Sequence, residues 1–256
     1  MNITFLGSSA RELESRNSVS FLVEDASSTL LVDCGPGFIS GMNKANKRSS
    51  DINHILLTHV HADHTASFAY FVWYRNIERF GTEPAKDLNV YGRRDTLELA
   101  KYNLEHMYPE MKWSFKIIYH EIKEESFFTC DTLKVTVFKA IHSVPCLGCV
   151  IESGKKKVVY SGDSLPNEEL IGYAKDADFL IHDTILMKNQ LALAEKTMHT
   201  TSETVGQIAN KANAKILALV HIEPQVFGKE KELIAEVGKE YSGLITIPTE
   251  GVVYHI

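Results

Sequence analysis

Apolar residues recur at every second position in several short segments of the N-terminal part of the chain. A period of two predicts strands, because successive side chains of a strand point to opposite faces of the sheet. The four predicted strands cover residues 2–5, 19–23, 29–32 and 52–57. Turn-forming residues at 24–28 and 35–37 lie between strands, so we expect an antiparallel meander.

The apolar spacing changes to a helical period in longer stretches. The predicted helices cover residues 65–79, 95–107, 167–175, 202–211 and 229–240. Ser202 has the position of an N-cap residue, so a helix would begin there. Strand-rich halves that each close with helices predict an α+β fold. No linker, low-complexity tract or solenoid repeat interrupts the pattern, and we expect residues 1–256 to form a single domain.

The composition narrows the classes of function. The 256 residues are 44% hydrophobic and 23% charged, which is typical of a globular protein with a full core. A formal net charge of −6 gives no long-range attraction for a polyanion, whereas a nucleic-acid binder usually carries a basic face. The sequence shows no leader pattern and no apolar run long enough to span a bilayer. We therefore expect a cytoplasmic protein with no membrane partner.

The four cysteines do not by themselves form a metal-binding framework. Cys146 and Cys149 make one Cys-x-x-Cys pair, while Cys34 and Cys130 lie far from it in the sequence. A structural zinc site needs a second pair or other partners. We therefore expect Cys146 and Cys149 to be small buried residues beside His142.

The densest chemical signal is the segment 58–64, which follows the apolar run 55–57. His59, His61, Asp63 and His64 supply three imidazoles and one carboxylate close together in the sequence. Neutral imidazole and carboxylate are donors that zinc and similar first-row metals prefer. At the end of a strand, His59 and His61 can point to one face and bind one ion, while Asp63 and His64 reach a second ion.

Three more candidate ligands each follow an apolar, strand-like run. They are His142, Asp163 and His221. The ends of strands hold side chains with the precision that metal geometry demands. Together with the segment 58–64, these residues predict a site for two metal ions.

The order of these motifs resembles the metallo-β-lactamase superfamily over nearly the whole chain, and within it the ribonuclease Z branch. The resemblance is carried by the His-x-His-x-Asp-His motif, by segments 3–10, 16–18, 31–37 and 162–164, by Ile181-His182-Asp183-Thr184 and by His199-Thr200-Thr201. It implies an α+β fold of the superfamily type, a four-layer αββα sandwich with the ligands at one edge of two sheets. A homodimer is also compatible with this family.

The resemblance implies a role for each candidate residue. One ion would be held by His59, His61 and His142, and the other by Asp63, His64 and His221, with Asp163 bridging them. Asp63 would also orient the attacking hydroxide. His199 would give a proton to the leaving oxygen, with Asp183 orienting its imidazole. Judged from the residues alone, Asp183 can instead cap a helix and His199 can be an ordinary loop residue.

The implied cofactors are two divalent metal ions, with zinc as the first choice and manganese or iron as alternatives that suit the same donors. Together they would activate a shared water and stabilise charge on the attacked group. The bridging Asp163 argues against antibiotic hydrolysis, because true β-lactamases of the superfamily lack it.

The chain departs from the ribonuclease Z pattern in the parts that would hold the substrate. Only residues 143–162 lie where long members insert an arm that grips transfer RNA, and Ile222-Glu223-Pro224 lacks the serine and arginine expected after the last ligand. We therefore predict a phosphodiesterase for a small cyclic or nucleotide phosphodiester, attacked by a metal-bridging hydroxide, with RNA less favoured. The alternatives are a ribonuclease Z-like RNA 3′-endonuclease, a thioester or lactone hydrolase, and a non-catalytic binding protein on the same fold.

Overall fold

The computed structural model describes residues 1–13, 15–26, 28–78 and 86–256. The strands in those residues are β1 (Asn2–Gly7), β2 (Ser20–Asp25), β3 (Ser28–Val32), β4 (His54–Leu57), β5 (Leu88–Gly92), β6 (Ile117–Glu121), β7 (Phe127–Cys130), β8 (Leu133–Ala140), β9 (Cys146–Ser153), β10 (Lys156–Tyr160), β11 (Phe179–Asp183), β12 (Ile216–Val220), β13 (Leu244–Thr246) and β14 (Val253–His255). The α-helices are α1 (Phe38–Lys44), α2 (Ala62–Thr65), α3 (Phe68–Glu78), α4 (Arg94–Met107), α5 (Glu168–Ala174), α6 (Leu191–Thr197), α7 (Ser202–Lys211) and α8 (Glu230–Val237).

The described strands form two mixed sheets that pack face to face. The first is a 7-stranded sheet of order β14-β1-β2-β3-β4-β5-β6, and the second is a 7-stranded sheet of order β13-β12-β11-β10-β9-β8-β7. Between them lies an apolar layer that contains Phe5, Phe21 and Tyr160, whose side chains are fully buried. The ring centroids of Phe21 and Tyr160 lie 5.2 Å apart in an edge-to-face arrangement, which is a favourable geometry for aromatic pairs.

Helices cover the outer faces of both sheets. On the first sheet, Phe38 of α1 and Phe71 of α3 pack in one apolar cluster with Leu31 and Ile55. On the second sheet, α5, α7 and α8 contribute to a cluster that includes Leu180 of β11. The layer order is therefore helix, sheet, sheet, helix, and the predicted α+β αββα sandwich is confirmed.

The predicted antiparallel meander is wrong in its last strand. β1, β2 and β3 pair antiparallel, but β3 pairs parallel with β4, and β5 and β6 continue parallel. The turn residues at 35–37 do not close a hairpin. Gly37 has φ 84° and leads into α1, which belongs to the crossover that parallel strands require.

This topology places the carboxyl ends of β3 and β4 at one edge of the first sheet, because the two strands run in the same direction. In the second sheet, β10, β11 and β12 are parallel to one another. β8 runs in the same direction as β10, since each is antiparallel to β9. Ligands of mixed and parallel sheets characteristically bind beyond the carboxyl ends of the strands.

The predicted helices occur, with changes at their ends. Thr65, the first residue of the predicted helix 65–79, is instead the last residue of α2, and the helix itself begins at Phe68 as α3. Between the two, the Ser67 amide donates to the Cys34 carbonyl at 3.0 Å. The last residue of that predicted helix, 79, lies outside the described residues. Ser202 is the first residue of α7 and the N-cap is Thr201. The Ser202 hydroxyl instead donates to Glu236 at 2.6 Å, so it connects α7 to α8.

Among the described helices, none combines the length and the apolar character needed to cross a membrane.

Replacement of Phe21 by alanine tests the layer between the sheets. Its ring is 0% exposed and touches both Phe5 and Tyr160, so removing it should lower the free energy of unfolding by about 3–5 kcal/mol. Phe127→Ala is the matched control, because that ring is 65% exposed and its loss should cost much less. Urea unfolding curves measure both values, and equal losses would contradict the assigned packing.

Candidate metal centre

The candidate ligands come together at the carboxyl edge of both sheets. His59, His61, Asp63 and His64 lie just beyond the end of β4 and in α2. From the second sheet come His142, which follows β8, Asp163, which follows β10, and His221, which follows β12. All seven predicted ligands thus lie in one cluster, within two groups whose donor atoms are no more than 4.8 Å apart.

The first group consists of three imidazoles. His59 Nε2 lies 3.1 Å from His61 Nδ1, and His142 Nε2 lies 3.2 Å from the same nitrogen. The three nitrogen atoms therefore converge on one point, from two different sheets. His59 is buried, while His61 is half-buried, so this point is open to solvent on the His61 side.

The second group contains two carboxylates and two imidazoles. His64 Nε2 lies 3.4 Å from Asp63 Oδ2 and 3.2 Å from Asp163 Oδ2. His221 Nε2 lies 3.2 Å from Asp63 Oδ2 and 3.1 Å from Asp163 Oδ2. The side chain of Asp63 is 30% exposed, so a small molecule can reach this group from solvent.

Asp163 lies between the two groups. Its Oδ2 atom is 3.7 Å from His59 Nε2 and 3.9 Å from His142 Nε2, in addition to its contacts with His64 and His221. Burial by itself would raise the pKa of Asp163, but the neighbouring His221 and His64 hold this pKa well below its usual range. Asp163 is therefore a buried anion that contacts imidazoles of both groups.

The donor atoms fit divalent metal ions. Ligand atoms about 2.0–2.1 Å from a tetrahedral zinc lie about 3.3 Å from one another, close to the separations of 3.1–3.4 Å in the two groups. His64 Nε2 and Asp163 Oδ1 are also buried without a hydrogen-bond partner among the described residues. Buried polar atoms are normally paired, and metal ions would satisfy these two.

Asp33 is a functional residue whose role the sequence did not reveal. It directly follows β3 and is fully buried, with φ 61° in the left-handed region. Its carboxylate accepts hydrogen bonds from the Thr58 amide at 2.8 Å and from His64 Nδ1 at 2.8 Å. The Thr58 hydroxyl donates to Asp33 and lies 3.0 Å from His59 Nδ1. Asp33 thus orients His64 directly and His59 through Thr58.

The loop that contains the histidine motif packs closely on the turn after β3. The Cys34 amide donates to the His64 carbonyl at 2.7 Å. A Cβ atom on Gly35 would lie 2.2 Å from the Asp63 carbonyl oxygen, so only glycine permits this approach. Glycine at position 35 is therefore required by the position of α2 beside the metal centre.

The expectation that Cys146 and Cys149 are buried is confirmed. Both are buried free thiols, and burial raises the pKa of each. Cys146 Sγ lies 3.6 Å from His59 Nδ1, and Cys146 pairs with Ala140, two residues before His142, where β8 and β9 meet.

Asp183 and His199 form a pair beside the cluster. His199 Nδ1 lies 2.7 Å from Asp183 Oδ2, and its ring stacks on His221 with centroids 4.8 Å apart. Burial lowers the pKa of His199, but the Asp183 carboxylate outweighs it and the pKa is raised. Asp183 ends β11 and caps no described helix, and His199 is 8% exposed. The geometry therefore matches the predicted pairing rather than the two plainer alternatives.

Comparison with known proteins identifies relatives over most of the chain. A family profile described as the beta-lactamase superfamily domain matches residues 28–222. A ribonuclease Z of Archaeoglobus fulgidus is 24% identical over 95% of this chain and 94% of its own. The probable metallo-hydrolase YhfI of Bacillus subtilis is 27% identical over 91% of each chain.

Solved structures share the fold. The crystal structure of YhfI superposes with a TM-score of 0.84 and 24% identity, covering 99% of this chain and 98% of that one. The structure of human tRNase Z, short form, gives a TM-score of 0.82 at 20% identity and covers 100% of this chain and 99% of that one. The two-sheet architecture is therefore common to all three proteins.

Replacement of Asp33 by asparagine tests the orienting role of its carboxylate. An amide nitrogen in place of Oδ2 cannot accept the hydrogen bond of His64 Nδ1, so zinc affinity should fall about 10- to 100-fold. Titration against a chelator of known affinity measures this. Asp87→Asn is the control, since among the described residues Asp87 accepts only from the Lys116 amide, at the end of β5 away from the site. Unchanged zinc affinity in Asp33→Asn would contradict the orienting role of the Asp33 carboxylate.

Proposed function

The chain belongs to the beta-lactamase superfamily, and on that premise we propose that it is a metal-dependent phosphodiesterase acting on a small cyclic or nucleotide phosphodiester. The observation that carries the proposal is the Asp183–His199 pair. The ring of His199 contacts the rings of two candidate ligands, His142 and His221. An acid at this position suits cleavage that expels an alcohol, because the departing oxygen needs a proton.

We assign the metal ligands as follows. One divalent ion would be held by His59, His61 and His142 and the other by Asp63, His64 and His221, with Asp163, which contacts imidazoles of both groups, as a shared ligand. Zinc is the first candidate, and manganese and iron suit the same donors. When bound, the two ions would lower the pKa of a water molecule and neutralise charge on the attacked phosphorus group.

The protein's own residues supply orientation and a proton. Asp63 is the most exposed carboxylate of the cluster, at 30%, and would accept a hydrogen bond from the attacking water and orient it. His199 binds Asp183 through Nδ1, so Nε2 is the nitrogen free to give a proton to the leaving oxygen. Asp183 fixes that tautomer and stabilises the charged imidazole.

Two features of the chain favour a small substrate over a long RNA. Residues 143–162, where an RNA-gripping arm would be inserted, are mostly occupied by the hairpin of β9 and β10. The net charge of −6 also disfavours a long polyanion. A second candidate is an RNA 3′-endonuclease, which is favoured by the relatives named ribonuclease Z.

Hydrolysis of bis(p-nitrophenyl) phosphate by zinc-reconstituted protein tests the reaction class. For a diester with an alkyl leaving group, His199→Ala should lower kcat about 10²- to 10⁴-fold, the range for loss of a positioned acid. The loss for bis(p-nitrophenyl) phosphate should be smaller, because p-nitrophenolate leaves without much help. His106→Ala is the control, since among the described residues that imidazole bonds only to the Tyr102 carbonyl and stacks on Tyr102 in α4.

A thioester and a lactone serve as parallel substrates. Turnover of either one that does not depend on His199, without phosphodiester turnover, would show that the protein is another kind of superfamily hydrolase. No turnover of any substrate by protein that binds two zinc ions would favour a binding protein.

Metal binding is tested separately by thermal unfolding. Zinc at 100 times its dissociation constant should stabilise the folded protein by about 2.7 kcal/mol, seen as a higher Tm than after treatment with a chelator. Asp163→Asn should lose most of this zinc-dependent rise, because Asp163 lies between both groups of donors. A full zinc-dependent rise in Tm in Asp163→Asn would contradict the assignment of Asp163 as a ligand shared by the two groups. Asp87→Asn should respond to zinc like the unmodified protein.

A further inference from the structure

The turn after α6 touches the metal centre through its backbone and through a side chain. The Met198 carbonyl lies 3.1 Å from His142 Nδ1, and His142 belongs to the first group of candidate ligands. The next residue, His199, places its ring centroid 5.0 Å from that of His142 and 4.8 Å from that of His221. Two successive residues of one turn therefore meet candidate metal ligands.

The contact with Met198 decides which nitrogen of His142 faces the metal. A backbone carbonyl can only accept a hydrogen bond, so Nδ1 of His142 carries the proton in this contact. Nε2 then keeps its lone pair, and it is the atom that lies 3.2 Å from His61 Nδ1 in the first ligand group. A metal ligand whose second nitrogen is held in this way has a fixed tautomer and ring orientation.

His142 differs from His64 in the kind of group that orients it. His64 is oriented by the side chain of Asp33, which accepts from His64 Nδ1 at 2.8 Å. His142 instead depends on a main-chain oxygen, and the backbone dihedral angles of Met198 set the direction of that oxygen. The conformation of residue 198 is therefore part of the ligand geometry.

Met198 has an unusual backbone for a residue of its type. Its φ of 63° and ψ of 45° lie in the left-handed region, where residues other than glycine are uncommon because Cβ crowds the backbone. Two hydrogen bonds close α6 at this point. The Met198 amide donates to the Glu195 carbonyl at 3.1 Å, and the His199 amide donates to the Ala194 carbonyl at 2.9 Å. Such bonds are typical of helices that end in a left-handed residue.

The other side of the turn is attached to the same site. The Thr200 hydroxyl donates to the Ser164 carbonyl at 2.7 Å, and Ser164 directly follows Asp163. The Ser164 amide donates at 3.2 Å to Asp183 Oδ2, the oxygen that also contacts His199. His199 is thus held between two neighbours that each bond to a segment with a candidate ligand.

The helix α6 has little apolar contact of its own with the rest of the protein. Of its seven residues only Ala194 is buried, in a small cluster with Ile185 and Leu186, while Leu191 and Leu193 are 49% and 43% exposed. A segment with few buried apolar contacts opens at a low cost in free energy. The hydrogen bonds at the carboxyl end of α6 therefore matter for holding the turn against the metal centre.

We propose that Met198 is a positioning residue whose left-handed backbone couples metal binding at His142 to the placement of His199. The role of His199 as proton donor rests on the proposed function, whereas the bond to His142 does not. Coupling between two binding equilibria is reciprocal. Loss of the turn therefore weakens metal binding, and metal binding stabilises the turn, so the acid is held most firmly in the metal-loaded protein.

Met198→Val tests this coupling, because a β-branched residue tolerates the left-handed region poorly. The Met198 carbonyl would turn away from His142 Nδ1, so the affinity for one of the two zinc ions should fall about 10- to 100-fold. Titration against a chelator of known affinity measures this. Met198→Gly should keep nearly normal affinity, because glycine adopts this conformation without strain and retains the carbonyl. Unchanged zinc affinity in Met198→Val would overturn the inference.

Asn213→Val is the matched control. Asn213 also has a left-handed backbone, with φ 51°, but it is exposed and precedes the amino end of β12, away from the metal centre. This variant loses a surface hydrogen bond to Asp176, so it should lower Tm without changing the zinc affinity. A fall in zinc affinity as large as that of Met198→Val, in either Asn213→Val or Met198→Gly, would overturn the inference.

NMR gives a readout that does not depend on turnover. In the zinc-loaded protein the proton on His142 Nδ1 should be protected from solvent and give a resolved resonance, which Met198→Val loses and Met198→Gly keeps. Zinc should also slow the hydrogen exchange of the His199 amide, because the metal and the turn stabilise each other. Exchange of that amide at the same rate with and without zinc would overturn the coupling.

Turnover separates this inference from the proposed function. At saturating zinc, Met198→Val should lower kcat more for a diester with an alkyl leaving group than for bis(p-nitrophenyl) phosphate, because the alkyl group depends more on the acid His199. Equal losses would overturn the coupling to His199. If the zinc affinity and the NMR signals behave as expected but no phosphodiester is cleaved, the proposed function is wrong and the positioning role of Met198 stands.

Discussion

The structure of the site depends on one buried anion. Asp163 is 1% exposed and its Oδ2 atom lies 3.1–3.9 Å from four imidazoles. A carboxylate withdrawn from water costs several kcal/mol unless positive groups surround it, so the imidazoles around Asp163 and the metal ions they would hold stabilise this buried group. The imidazoles come from loops of both sheets, so the contacts of Asp163 link the two sheet edges.

Two further carboxylates orient this centre, one from each sheet. Asp33, at the end of β3, fixes the imidazole of His64, and Asp183, at the end of β11, fixes that of His199. A carboxylate that accepts from one ring nitrogen decides which nitrogen faces the reacting groups. The two pairs nevertheless differ in position. His64 faces Asp163, whereas His199 lies outside the two ligand groups and stacks on His221. The same local arrangement thus orients a candidate metal ligand on one side and, on the other, the imidazole to which we assign proton transfer.

The topology explains why the site is shared between distant segments. The crossover through α1 makes β3 and β4 parallel, so the Asp-Cys-Gly turn and the histidine motif leave the sheet at the same edge. An antiparallel meander would have placed them at opposite edges. On the second sheet the loops after β11 and β12 run side by side, joined by the Thr184 amide to the Val220 carbonyl and by the Glu223 amide to the Ile185 carbonyl.

The sequence by itself determined four strands of the first sheet, five of the helices and the candidate donor set. Period-two runs predicted β1 to β4, and the residue types that follow apolar runs predicted His59, His142, Asp163 and His221 as ligands, because both signals are local. The tertiary structure alone decided which strands are parallel, that Asp33 adopts a left-handed backbone and orients His64, and that Cys146 lies against His59. These features depend on contacts between residues far apart in the chain, and no local spacing encodes which distant loops will meet.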